Sequence, residues 1–135
     1  MPGIWGIDPA WGITPVRVAM GLIFVIAGWG KVMGGVGNVA AAFARMGIPA
    51  PGIAGPFIAY LELIGGAALL VGLFSRWLGL VFALEFVVAT FYVKFAAQGW
   101  NAGRLDLMLL AGGLLLFVAG PGRAAIDRLW LEKSR

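Results

Sequence analysis

The sequence predicts an all-α membrane protein: a four-transmembrane-helix bundle with a short interfacial helix between spans 1 and 2 and an amphipathic C-terminal helix. Three observations carry this expectation. Of 135 residues, 61% are apolar and 12% charged, where soluble domains run roughly half apolar and about a quarter charged. A soluble domain of this length leaves about a third or more of its chain surface exposed, and 10 basic plus 6 acidic residues do not cover it. Four apolar segments approach the ~20 residues of a bilayer-crossing helix, which leaves no room for a second domain, so residues 1–135 read as one transmembrane domain. The 22 glycines fit the same class, because close helix contact in lipid favours small residues.

Span 1 is expected over about 14–33, with Arg17 and Lys31 near its ends. They lie ~21 Å apart along a helix axis, and both reach the headgroup region by snorkelling. No basic region precedes the apolar stretch, so this helix is expected to be retained rather than removed as a leader. Residues 36–52 hold a helix, about 38–47, too short to cross, with Asn38 as its N-cap, Val39, Phe43 and Met46 on one face, and Gly47 and Pro49 as its stop. It lies on the membrane surface or folds back as a lid. Span 2, about 55–74, carries Glu62 inside and is closed by Arg76; span 3, about 77–97, carries Glu85 inside and Lys94 near its end. Span 4, about 105–121, is opened by Asp106 and closed by Arg123, and Ile126, Leu129 and Trp130 form the apolar stripe of the tail helix. Every charge-free window is shorter than 18 residues, so the charges are more informative than the apolar majority.

Four spans put both termini on one side. That side collects Arg17, Arg76, Arg123, Arg128, Lys133 and Arg135, against Lys31, Arg45, Lys94 and Arg104 opposite, which orients the termini toward the cytoplasm. The basic residues serve topology and lipid contact rather than nucleic acid. No tryptophan occupies a span centre, as interfacial aromatic belts require. Gly65-Gly66 followed by Arg76 and Gly112-Gly113 followed by Arg123 recur at matching separation, the pattern of either a duplicated hairpin or two convergent glycine-rich helices.

Glu62 and Glu85 are the candidate catalytic residues, since a charge within a span is unfavourable by a few kcal/mol and marks function or a polar contact. Counted from Arg76 along straight helices they lie ~21 and ~13 Å deep, able to line one cavity without touching. Each is either a proton-accepting or ligand-anchoring carboxylate or a hydrogen-bonding link between helices. Lys31, Lys94, Arg104 and Asp106 mark the opposite boundary, as depth anchors or as a polar mouth, with Lys94 and Asp106 spaced for a salt bridge. Arg17 and Arg76 form the inner set, with snorkelling sufficient for Arg17. Phe82, Phe86, Phe91, Tyr92 and Phe95 either pack or stack on a flat ring. With no cysteine and no histidine, metal, haem and iron–sulfur sites lack their usual ligands.

The chain resembles the DoxX family of small four-span membrane proteins over about 16–128. "RVAMGLIFVIAGWGK" at 17–31, "GIPAP" at 47–51, "ELIGGAALLVGLFSRW" at 62–77 and "GPGRAAID" at 120–127 carry the resemblance. It implies a bundle in the cytoplasmic (inner) membrane, and Arg17, Lys31, Glu62, Arg76 and Asp127 as family-pattern positions. Some members are subunits of quinone-reducing enzymes, and others associate with oxidative-stress systems. The function expected on this basis is a redox-associated, quinone-interacting subunit of a membrane complex, with Glu62 bonding a ring carbonyl helped by Glu85 or Tyr60. Arg17, Lys31, Tyr60, Arg76, Lys94 and Asp106 are the candidate cofactor-binding residues. Members often carry a histidine late in span 3, where this chain has TFYVKF. Beyond the bilayer, the expected partner is a membrane or peripheral redox protein or a second copy. The alternatives are a non-catalytic scaffold docking partners through 38–47 and 123–135, and a proton-coupled transporter using Glu62 and Glu85.

Overall fold

The computed structural model describes residues 4–95, 100–127 and 129, and their side chains except those of 4, 92–95, 101 and 102. After a 3-10 turn at Ile4–Gly6 come α1 (Ala10–Met33), α2 (Val36–Arg45), α3 (Pro51–Val71), α4 (Ser75–Val87) and α5 (Trp100–Ala119). The helix α4 runs straight on into a π-helical stretch, Val88–Phe95. The described residues form no strand. Two of their helices, α1 and α3, are long and apolar enough to cross a membrane; they match expected spans 1 and 2.

Helix ends are set by local chemistry, and several differ from the sequence expectation. The helix α1 starts four residues ahead of Thr14 because Asp8 Oδ1 accepts the Ala10 N–H at 2.9 Å. Asn38 is not an N-cap. Gly35, at φ 97°, turns the chain so that α2 begins at Val36, and Asn38 Nδ2 instead donates to the Gly34 carbonyl at 2.6 Å. Proline opens α3 at Pro51, and Gly72 closes it in the left-handed region. There Leu73 N–H reaches Ala68 O and Gly72 N–H reaches Leu69 O, the paired bonds of a Schellman ending. The helix α5 begins at Trp100, five residues before the expected Leu105, so Asp106 lies inside it rather than at its opening.

The long helices pack as two hairpins, α1 with α3 and α4 with α5. Glycine makes both contacts. A Cβ on Gly21 would lie 2.9 Å from Gly66 O, and one on Gly66 would lie 2.9 Å from Gly21 O. The same reciprocity joins Gly79 and Gly113, at 2.6 and 2.7 Å. The first glycine of each pair faces the other hairpin: Gly65 meets Phe82 and Gly112 meets Met20. The sequence recurrence of Gly-Gly therefore corresponds to a recurrence of contacts. Between the hairpins Phe24 stacks on Phe82 at 4.0 Å, with Phe86 tilted beside them. Thus Phe82 and Phe86 are packing residues, while Phe91 points outward; the side chains of Tyr92 and Phe95 lie outside the described residues. The tryptophans Trp5, Trp11, Trp29, Trp77 and Trp100 are 50–90% exposed, as membrane-interface residues would be.

A polar latch ties one end of the molecule. Arg17 is 1% exposed. Its guanidinium donates to the carbonyls of Pro121 (2.6 Å), Arg123 (3.1 Å) and Ala124 (2.9 Å). This corrects the snorkelling expectation: the chain folds its own C-terminal loop over Arg17, so carbonyls replace water. Thr14 exchanges two hydrogen bonds with the Arg123 backbone, and the Arg123 guanidinium pairs with Asp8. Asp127 caps α4, accepting from Phe74 N–H at 2.8 Å and Ser75 N–H at 2.7 Å. Gly122, at φ 77°, permits the approach, since a Cβ there would lie 2.8 Å from Ala10 O. The expected tail helix falls largely on Arg128 and 130–135, outside the described residues; Ile126 and Leu129 are exposed.

Three stability results are expected in detergent unfolding. Gly66→Val should destabilise by about 2–3 kcal/mol through overpacking, whereas Gly30→Ala, whose Cβ meets open space, should be neutral or stabilise by up to about 1 kcal/mol. Arg17→Lys should cost about 2–4 kcal/mol, because an ammonium loses part of a carbonyl set served by the guanidinium fork.

Candidate functional site

The other half of the molecule encloses a cavity of about 510 Å³ between α1, α3, α4 with its π-helical continuation, and α5. Phe43, Met46 and Ile48 cover one side, so the short helix folds back over the cavity. A close approach holds it there: a Cβ on Gly55 would lie 2.8 Å from the Ala40 Cα. The walls are apolar except for Lys31, Glu62, Glu85 and Asp106.

Backbone proximity positions the first pair. Gly28 lies so close to the Leu63 backbone that no Cβ fits. One turn further, Lys31 Nζ meets Glu62 Oε1 at 2.6 Å, with the Glu62 side chain 4% and the Lys31 side chain 32% exposed. The carboxylate is thus desolvated and matched by an ammonium that retains a path to the cavity or its mouth. Glu85 reaches Glu62 within hydrogen-bonding range and shares the field of Lys31 and Asp106. Its second oxygen, Oε2, is fully buried with no hydrogen-bond partner among the described residues. Asp106 is 5% exposed and completes the acidic set.

The contact between Glu62 and Glu85 removes the depth difference expected from straight helices. Not all 14 residues from Glu62 to Arg76 are helical. The helix α3 ends at Val71 and α4 begins at Ser75. Glu62 therefore lies ~14 Å from its helix end and Glu85 ~15 Å from its own, at one level.

The remaining candidate residues sit elsewhere. Arg17 belongs to the latch. Tyr60 is 46% exposed and lines an outward apolar groove with Phe57 and Ile64. Arg76 is exposed, near Gly120, and Arg104 is exposed on α5. The Lys94 side chain, and hence its expected salt bridge with Asp106, lies outside the described residues. Sequence reasoning passed over Asp8, Thr14 and Arg123 as a structural set. The spacing of Thr14 and Arg17, one helical turn apart, was the available signal. No group of three carboxylates among the described residues is arranged to hold a metal.

These features define a small helical membrane protein with an acid-lined internal cavity. A family model described as DoxX matches residues 12–95, and the chain belongs to the DoxX family. It is 37% identical over 127 residues to the "Inner membrane protein YqjF" of Escherichia coli (strain K12), covering 90% of this chain and 94% of that one. It is 33% identical over 120 residues to the "Putative oxidoreductase CatD" of Bacillus subtilis (strain 168), covering 86% and 84%. The "Inner membrane protein YphA" of Escherichia coli (strain K12) is 29% identical over 120 residues, covering 83% and 85%. No solved structure matches the chain significantly.

The ion pair makes a double-mutant cycle informative. Lys31→Met alone strands the Glu62 carboxylate and should destabilise, by less than the ~3–5 kcal/mol of a fully buried pair because Lys31 is partly exposed. The double variant Lys31→Met/Glu62→Leu should recover much of that loss, as read by unfolding in detergent.

Proposed function

We propose that this protein is a redox-associated subunit of the inner membrane that binds a quinone in the cavity beside Glu62. The observation that carries this reading is the cavity itself. Its ~510 Å³ falls within the roughly 300–1,000 Å³ of small-molecule sites, and its apolar walls converge on the Lys31–Glu62–Glu85 group. That chemistry suits a flat, membrane-soluble ring with polar atoms at its edge. In this reading the chain crosses the membrane four times, α2 lies at the interface, and both termini face the cytoplasm.

The donor set fits the ring. Lys31 has N–H groups beyond the one bonded to Glu62, and these would donate to a ring carbonyl. Glu62 holds the ammonium in place. Glu85, against Glu62, supplies a second carboxyl oxygen at which a proton can be held or passed. A bound quinone would supply two-electron chemistry that this chain, without cysteine or histidine, does not supply from its own side chains. Electrons would come from a partner protein or a soluble donor. The relative named as an oxidoreductase supports the same class.

The test is titration of purified protein in nanodiscs with a short-chain benzoquinone, followed by tryptophan fluorescence or calorimetry. Binding is expected, with Glu62→Gln weakening it about tenfold through loss of the charge that holds Lys31. Absence of binding, or a Glu62→Gln variant that binds equally well, overturns the proposal. Proton-driven uptake into proteoliposomes that requires both glutamates would favour the transporter reading instead.

A further inference from the structure

The cavity is one of two spaces that meet at the short helix. A shallower groove of about 300 Å³ lies between the end of α1 and α2, floored by Gly30 and Gly34 and flanked by Asn38 and Ala42. Groove and cavity share three lining residues, Lys31, Phe43 and Met46. Phe43 and Met46 lie about one helical turn apart, on one face, and their side chains border both spaces. Lys31 stands at the same boundary, its side chain partly exposed and its ammonium bonded to the buried Glu62.

The attachment of α2 is one-sided. It is pinned to α3 where Gly55 meets the Ala40 backbone. Toward α1 it borders the groove instead, because a Cβ on Gly30 would meet nothing within 4 Å. None of its residues is buried, and few buried apolar contacts mark an element that opens at low free energy. Positive-φ glycines flank it, Gly35 at 97° and Gly47 at 77°, and a few such residues at element ends absorb the backbone rotation of a moving segment. The geometry points to α2 as the gate of the cavity. A ligand passes along the groove beside Gly30 and crosses between Lys31 and the side chains of Phe43 and Met46, which set what is admitted. Lys31 meets the polar head first, and the apolar walls then take the rest. In the topology proposed above, this entrance opens at the non-cytoplasmic surface of the membrane. The gate rests on the cavity and the helix that covers it, not on which ligand the cavity holds.

The chain has no cysteine, so a single thiol can be placed at a chosen depth. Ala27→Cys puts it on the cavity wall, one helical turn from Lys31. Its rate of reaction with a small water-soluble methanethiosulfonate, measured in nanodiscs, reads passage into the cavity. Gly30→Leu, which fills the groove from a position with open space around it, should slow that rate about tenfold, and Phe43→Ala should raise it about tenfold. Two further thiols serve as controls. Ala83→Cys, buried and outside the cavity wall, reads general loosening, and Trp5→Cys, at an exposed position, reads the reagent. Neither control rate should change. An Ala27→Cys rate unmoved by Gly30→Leu overturns the gate and places the entrance elsewhere, for which the half-exposed wall residues Val88 and Leu105 mark the other side. A Phe43→Ala increase matched at Ala83→Cys overturns it as well. Both results leave quinone binding untouched, and a failure of quinone to bind leaves the labelling rates as they are.

Discussion

The constraint on which the structure depends is the Glu62 carboxylate, taken out of water near the middle of α3. Desolvation of such a group is offset only by close, well-placed counter-charge. Lys31 supplies it at 2.6 Å, and can do so because Gly28 lets α1 meet the backbone of α3 one turn earlier. The contact thus fixes the register of the first hairpin and places Lys31 toward the cavity. Glu85 and Asp106 then face the same space from the second hairpin, so that one electrostatic group draws on four helices, α1, α3, α4 and α5.

Packing makes that arrangement geometrically available. Reciprocal glycine contacts, Gly21 with Gly66 and Gly79 with Gly113, bring the two helices of each hairpin to backbone contact. The hairpins in turn meet through the Phe24–Phe82 stack. The two ends of the molecule are therefore specialised. One end is closed by Arg17, Arg123, Asp127 and the C-terminal loop, with its backbone carbonyls satisfied by side chains. The other opens into a cavity covered by α2. Rigid closure at one end leaves the short helix and the π-helical stretch as the irregular elements bordering the cavity, and π-helical turns frequently occur at functional sites.

Much of this was legible in the residues. The helical membrane class followed from apolar content, and Glu62 and Glu85 stood out because charges within a span demand a reason. Asp106 was visible only as a boundary charge, since its burial depends on α5 starting at Trp100 rather than at Leu105. Arg17 read as a snorkelling residue because its partners are backbone carbonyls more than 100 positions away, and backbone acceptors leave no signature in sequence. Tyr60 shares a helix with Glu62 yet points outward, a matter of helical phase against neighbours whose crossing the sequence does not specify.

By itself, the sequence determined the solvent and the inventory: a chain too apolar for water, helices bounded by charges and tryptophans, and no cysteine or histidine for redox or metal chemistry. These are properties of composition and local periodicity. Tertiary structure decided which charges meet. Lys31 with Glu62, Glu62 with Glu85, and Arg17 with the C-terminal loop are contacts between distant segments. They follow from where α3 stops at Gly72 and how closely glycine lets the helices approach, and a turn of three residues is enough to bring to one level two carboxylates that counting along straight helices separates.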